Sequence, residues 1–209
     1  MTALEYGLMA TSSLFAIINP VAAIPAFLAM TPNDGTESRL RMARRACATC
    51  AGVLLVFGLA GRFLFKVFGI SLPSFQMAGG IVLLVVSLDS IRAKRSPVQE
   101  TEEETEEGVG KDDISITPLA IPMLSGPGAI TTVIVLESKA GSALDHVLLF
   151  AAVLGVSAAS YAAFHMGVTG ARRLSPILMN ITTRLMGLIL VATAVEFIVG
   201  GLRALGPLR

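Results

Sequence analysis

Apolar residues run along this chain in long blocks, separated by short polar or charged stretches. The blocks fall at roughly Leu4–Met30, Ala43–Phe65, Phe75–Ile91, Ile114–Leu136, His146–Thr169 and Leu185–Leu202. About 20 apolar residues wound as a helix cross the hydrocarbon of a bilayer. Strands of a membrane barrel alternate in polarity over about ten residues, whereas these blocks are longer and continuous. A helix satisfies its backbone groups within its own segment, which lipid requires. The pattern therefore predicts six transmembrane helices in an all-α membrane protein.

Composition sharpens this reading. Of 209 residues, 54% are hydrophobic and 15% charged, against roughly 25% charged in a soluble domain. Mean hydropathy is +0.74. A disordered chain, a secreted disulfide scaffold and a free cytosolic enzyme are excluded. Sixteen basic and fifteen acidic residues give a net charge of +1, so no global field favours nucleic acid.

The placement of those charges sets an orientation. Arg39, Arg41, Arg44 and Arg45 lie in the first loop, Arg92, Lys94, Arg95 and Lys111 in the third, and Arg172, Arg173 and Arg184 in the fifth. Only five basic residues lie elsewhere. The positive-inside rule then places loops one, three and five in the cytoplasm. Both termini are expected on the outer, periplasmic side of a cell inner membrane. No basic residue precedes the first block, unlike a cleaved signal peptide.

The third loop, Ser96–Asp113, is crowded with Glu and Asp. Such a run repels itself and reads as a solvated linker or a partner site. It divides the chain into residues 1–95, 96–113 and 114–209, with three spans in each flanking part. Three is odd, so the second part enters from the opposite side, the geometry of a 3+3 inverted repeat. A shift of 107 pairs Pro20 with Pro127, Ala22 with Ala129, Gly80 with Gly187 and Asp89 with Glu196. A second alignment pairs Ile18-Asn19-Pro20 with Ile116-Thr117-Pro118. Either alignment places a proline break in spans one and four.

Five of the ten prolines fall in those two stretches: Pro20 and Pro25, then Pro118, Pro122 and Pro127. Each removes the bond to the carbonyl four residues back. The carbonyls affected are those of Ala16, Val21, Ile114, Pro118 and Met123. A bare carbonyl in hydrocarbon costs several kcal/mol. The same breaks start new helices in mid-membrane: Asn19 before Pro20, and Ser125-Gly126 before Pro127, read as N-caps. Free N–H groups and the positive dipole end suit a carboxylate, and freed carbonyls suit an ammonium group or a small cation. Two such elements facing each other would hold a small zwitterion, as in secondary transporters. The expected site comprises Ala16, Asn19, Pro20, Pro25, Thr117, Pro118, Met123, Ser125, Gly126, Pro127, Gly128 and Thr131.

Glu196, within span six, is the first coupling candidate for a proton or sodium ion, with Asp89 the second. Asp89 also has Arg92 three residues on, as in an interfacial ion pair. His165 reads as a packed histidine. Cys47 and Cys50 form a C-x-x-C without a redox or zinc context, so they read as packing residues. Ala151, Gly155, Ala159, Ala163 and Gly167 form a stripe for close helix approach. No nucleotide-binding, serine-hydrolase or zinc-protease motif occurs. No enzyme activity, cofactor or metal is expected.

Asn19-Pro20-Val21-Ala22-Ala23-Ile24-Pro25-Ala26-Phe27, together with Pro118-Leu119-Ala120-Ile121-Pro122 leading into Gly126-Pro127-Gly128-Ala129-Ile130, resembles the paired signatures of the MarC family. Arg184-Leu185-Met186-Gly187-Leu188-Ile189-Leu190 resembles that family's last span. The resemblance covers essentially the whole chain. It implies a small multi-pass inner-membrane protein, related to transporters of small neutral amino acids working by alternating access. The alternative is a non-transporting membrane protein acting through partner binding or stress response.

Overall fold

The computed structural model describes residues 2–92, 113–170 and 176–205. Every described element is helical. The first span is two helices, α1 (Ala3–Ile18) and α2 (Pro20–Met30), joined through Asn19. Then follow α3 (Thr36–Phe68) and α4 (Leu72–Ile91). The fourth span consists of a wide-turn segment, α5 (Ser115–Leu124), and α6 (Pro127–Lys139). Helices α7 (Ala143–Gly170) and α8 (Pro176–Leu205) complete the chain. Among the described residues, α3, α4, α7, α8 and the joined α1–α2 stretch Ala3–Met30 are long and apolar enough to cross a membrane, and six spans result when the bent α5–α6 pair counts as one.

Local signals account for the boundaries. Thr2 caps α1 through a reciprocal box: Glu5 N donates to Thr2 Oγ1 (3.3 Å) and Thr2 N to Glu5 Oε2 (2.7 Å). Ser71 caps α4, accepting from Ser74 N, and Pro73 sits in its first turn. Helix α3 ends at Gly69 with φ 64°, a conformation glycine adopts without penalty.

Two helices begin earlier than their apolar blocks. Helix α3 starts at Thr36 rather than near Ala43, and α8 at Pro176 rather than near Leu185. Apolarity marks where lipid begins, not where the helix does. The 33 residues of α3 span about 50 Å, against a hydrocarbon core of ~30 Å. Its charged first turns therefore stand among headgroups, where Glu37 and Arg41 pair at 3.6 Å.

Helix α4 packs along α8, and α3 against α7. Helices α1 and α2 lie on α7, while α5 and α6 lie on α3. Smaller contacts join α4 to α6, α2 to α8, α1 to both α6 and α8, α2 to α5, and α6 to α7. The α4–α8 seam is close-packed, with side chains of one helix seated on glycines of the other. A Cβ on Gly80 would sit 2.7 Å from Ile198 Cγ1, and one on Gly187 2.8 Å from Ile91 N. A Cβ on Gly201 would lie 2.8 Å from the Pro73 carbonyl.

The expected stripe on span five is only half used. Ala151, Gly155 and Ala159 are exposed, and nothing lies within 4 Å of a Cβ built on Gly155. Only the Ala163–Gly167 end packs, with Ile24 Cγ2 2.6 Å from a Gly167 Cβ. The interior face of α7 carries Leu149, Val153, Val156, Ser160 and Phe164 instead. Four-residue spacing of small residues is therefore not sufficient for contact; the partner's position decides.

Tyr6 ties the ends of spans one and four together: its hydroxyl donates to the Leu136 carbonyl at 2.8 Å. Phe27 and Phe164 stack at 5.0 Å. Cys47 and Cys50 are free and buried, as packing residues. Leu4, Leu59, Phe63, Leu185 and Leu188 are exposed, which is ordinary for a surface solvated by lipid. Apart from Asp113, the acidic third loop lies outside the described residues. Asp113 meets Arg45 at 2.7 Å. Hydrogen bonds from Ser115, with Arg45 adding to them, hold its carboxyl below the ordinary range.

Candidate functional site

Both expected breaks exist, and they differ in construction. In span one a single residue leaves the helix. Asn19 adopts φ 43° and ψ 62°, the left-handed region. Its N–H still bonds the Phe15 carbonyl (3.0 Å), and its own carbonyl accepts from Ala22 N (3.1 Å). Pro20 then opens α2. Asn19 is 5% exposed, yet its amide makes no cap bond to the helix it precedes.

In span four the departure covers ten residues. Thr117 and Ile121 are extended within α5, and the peptide bonds to Pro118 and Pro122 are cis. The chain bends by 58° before α6. The Ile114 carbonyl is not left for a guest: Leu119 N reaches it at 3.2 Å. The Ala120 carbonyl likewise accepts from Ser125 N (2.9 Å) and Ser125 Oγ (2.7 Å). Wider turns thus restore bonds that proline removes.

Helix α6 starts without a side-chain cap. Of the pair Ser125-Gly126 that reads as a cap in the sequence, Gly126 occupies the cap position. Pro127 has no N–H, and Ile130 N already bonds the Gly126 carbonyl at 3.1 Å. The N–H groups of Gly128 and Ala129 are left without intrahelical partners. Both residues line a small cavity with Ile17, Leu83, Val86, Leu124, Gly126 and Pro127. Its volume is about 10 Å³, room for roughly one water.

The break of span four borders this cavity, and span one reaches it through Ile17, two residues before its own break. A Cβ built on Gly128 would lie 3.7 Å from Ile17 Cγ2 and 2.9 Å from Leu83 Cδ2. A side chain here would have to displace the end of Leu83, while the approach to Ile17 is ordinary contact.

The expected site residues divide into two sets. Ala16, Asn19, Pro20, Pro118, Met123, Ser125, Gly126 and Gly128 are buried, and exposed Pro127 borders the cavity. Pro25 and Thr117 are exposed on the bundle surface. Thr131 is buried but points into α4, where its methyl fills the notch left by Gly79. Glu196 is exposed on α8 and is not brought to the breaks. Asp89 lies 4.0 Å from Arg92, the interfacial pair that the spacing suggests. His165 is also exposed, against the edge of Tyr161. Leu83 and Val86 were not legible as site residues. They are ordinary apolar positions of span three, and only the packing of α4 on α6 brings them to the cavity.

Residues 4–205 match the family described as MarC family integral membrane protein. A UPF0056 membrane protein of Methanocaldococcus jannaschii is 37% identical over 200 residues, covering 96% of this chain and 97% of the relative. A UPF0056 membrane protein of Pyrococcus horikoshii is 33% identical over 192 residues, or 92% of each chain. The Bacillus subtilis protein YvbG, also a UPF0056 membrane protein, is 35% identical over 196 residues, or 93% of each chain. No solved structure matches. The signatures around the two breaks and the match along nearly the whole chain agree: this is a multi-pass membrane protein that belongs to the MarC family.

Proposed function

We propose that the protein is a secondary transporter of small neutral amino acids in the cell inner membrane. The observation that carries this reading is the uncapped start of α6. It opens onto a cavity that span one also borders, two residues from the buried amide of Asn19. The free N–H groups of Gly128 and Ala129 suit a carboxylate. The Asn19 amide supplies both a donor and an acceptor for the rest of a small polar solute. A cavity of about 10 Å³ is closed to such a solute, so loading requires the flanking helices to part. Alternating access supplies that motion.

We further propose a 3+3 inverted repeat, which the packing favours. Exchange α1 with α5, α2 with α6, α3 with α7 and α4 with α8. The α4–α8 and α3–α7 contacts map onto themselves, and α1–α7, α2–α7, α2–α8 and α1–α6 map onto α5–α3, α6–α3, α6–α4 and α5–α2. The α1–α8 and α6–α7 contacts have no counterpart of similar extent. Individual residues follow the shift of 107: Gly80 packs on Ile198, and Gly187 on Ile91. This favours the pairing of Pro20 with Pro127, each the first residue of its half-helix.

A carrier fits the site better than an enzyme. The Ser125 hydroxyl is engaged by the Ala120 carbonyl, and no general base adjoins it on the cavity. Coupling through Glu196 would act at the lipid-facing side of α8, with both termini outward by the positive-inside rule. The test is flux of labelled glycine, alanine, serine and threonine into liposomes holding the purified protein. Uptake above empty liposomes that is lost in Asn19→Gly is expected. Folded protein with no flux across that panel overturns the proposal.

A further inference from the structure

The four arginines at the start of α3 are not equivalent. Arg39 is spent on the preceding turn: its guanidinium donates to the Thr31 and Pro32 carbonyls. Arg45 is held by Asp113 at 2.7 Å. Arg41 meets only Glu37, at 3.6 Å, with that carboxylate 95% exposed. An exposed pair of this kind is weak and easily exchanged. Arg44 has no acidic partner among the described residues.

Arg41 and Arg44 face a second cavity, of about 220 Å³, completed by Glu37, Leu40 and, from α7, Tyr161. That is below the roughly 300–1,000 Å³ of pockets for drug-sized ligands and suits a headgroup-sized occupant. Its depth identifies the occupant. Arg44 stands about 12 Å from the first residue of α3, and the uncharged stretch Ala46–Gly61 begins two residues later. The cavity therefore lies at the boundary between headgroups and acyl chains. A guanidinium matches phosphate oxygens with paired donors, and a tyrosine at this level presents an apolar ring and a polar tip.

We propose that the cleft formed by Arg41, Arg44 and Tyr161 binds the phosphodiester headgroup of an anionic phospholipid from the adjoining leaflet. Arg44 contacts the phosphate, Arg41 exchanges its loose contact with Glu37 for the same group, and Tyr161 donates from the α7 side. The lipid bridges α3 and α7, a pairing that spans both parts of the chain.

The full-length protein in detergent is heated with phosphatidylglycerol, phosphatidylcholine or inorganic phosphate, and lipid retention is followed by native mass spectrometry. Phosphatidylglycerol is expected to raise the apparent Tm and to stay bound, while the other two probes do neither. The double variant Arg41→Gln/Arg44→Gln should keep the lipid-free Tm and hold phosphatidylglycerol about tenfold more weakly. Should the double variant fold poorly, Arg44→Gln and Tyr161→Phe alone should each reduce retention. Arg203→Gln, on α8, should bind as the parent does. Equal retention by the arginine variants, equal loss in Arg203→Gln, no effect of phosphatidylglycerol on the parent protein, or an arginine-dependent shift with inorganic phosphate alone would overturn the proposal.

Discussion

Spans one and four solve the same problem by different means. Span one leaves the helix at one residue, Asn19, which keeps both its own backbone bonds, to the Phe15 carbonyl and from Ala22 N. Span four leaves it over most of α5, rebuilds bonds in wider turns, and bends by 58°. The first break costs little backbone and commits a polar side chain, Asn19. The second commits backbone itself: Gly126 and Gly128 have no side chain to offer, and the exposed groups are N–H. A left-handed asparagine and an uncapped glycine thus occupy matching cap positions under the shift of 107. Only the second break lines the cavity directly; span one reaches it through Ile17, two residues before Asn19.

The sharpest way to break this comparison is to exchange the residues that differ. Val21 stands at the position of Gly128 in the shifted alignment. Gly128→Val drives a branched side chain into Leu83 and should destabilise the protein by about 1–3 kcal/mol, seen as a lower Tm in detergent, with flux abolished. Val21→Gly should cost less, about 0.5 kcal/mol of helix propensity. A Gly128→Val protein as stable as the parent would mean that the close approach of spans three and four does not matter. Asn19→Ala comes next. A left-handed residue other than glycine or asparagine costs roughly 1–2 kcal/mol, so its Tm should fall below that of Asn19→Gly, while both variants lose transport.

Ser125→Ala should cost about 1 kcal/mol, because Ser125 N still serves the Ala120 carbonyl. Flux should persist if the hydroxyl is only structural. The smallest effect lies outside the breaks, at Asp113. Its depressed carboxyl pKa means that its contribution is complete above the ordinary carboxylate range and lost as pH falls through the depressed native value. With the Asp113 side chain 42% exposed, Asp113→Asn should change stability by at most ~1 kcal/mol. A pH titration of Tm should flatten at its acid end in that variant.

The spans were legible because lipid imposes a length on apolar runs; the prolines marked both breaks, although α2 continues through Pro25 without interruption. The identity of Asn19 and Gly126 as the residues at the breaks was also within reach of sequence. What was not legible depended on which way a residue faces once the helices pack. Thr131 carries a hydroxyl near Pro127, yet Gly79 on another span draws it away from the cavity. Thr117 lies beside Pro118, but the extended backbone at Thr117 leaves it on the surface. Glu196 is intramembrane in sequence and outward in the bundle. The small-residue stripe of α7 misled for the same reason, while the glycines of α4 and α8 formed the closer seam.

That seam limits how the molecule can change shape. With Ile198 seated on Gly80 and Ile91 on Gly187, side chains of each helix lock into gaps left by glycines of the other. Neither rod can tilt without carrying the other. Held in this way they act as one pillar, and any change of shape in the bundle falls to the helices packed around it.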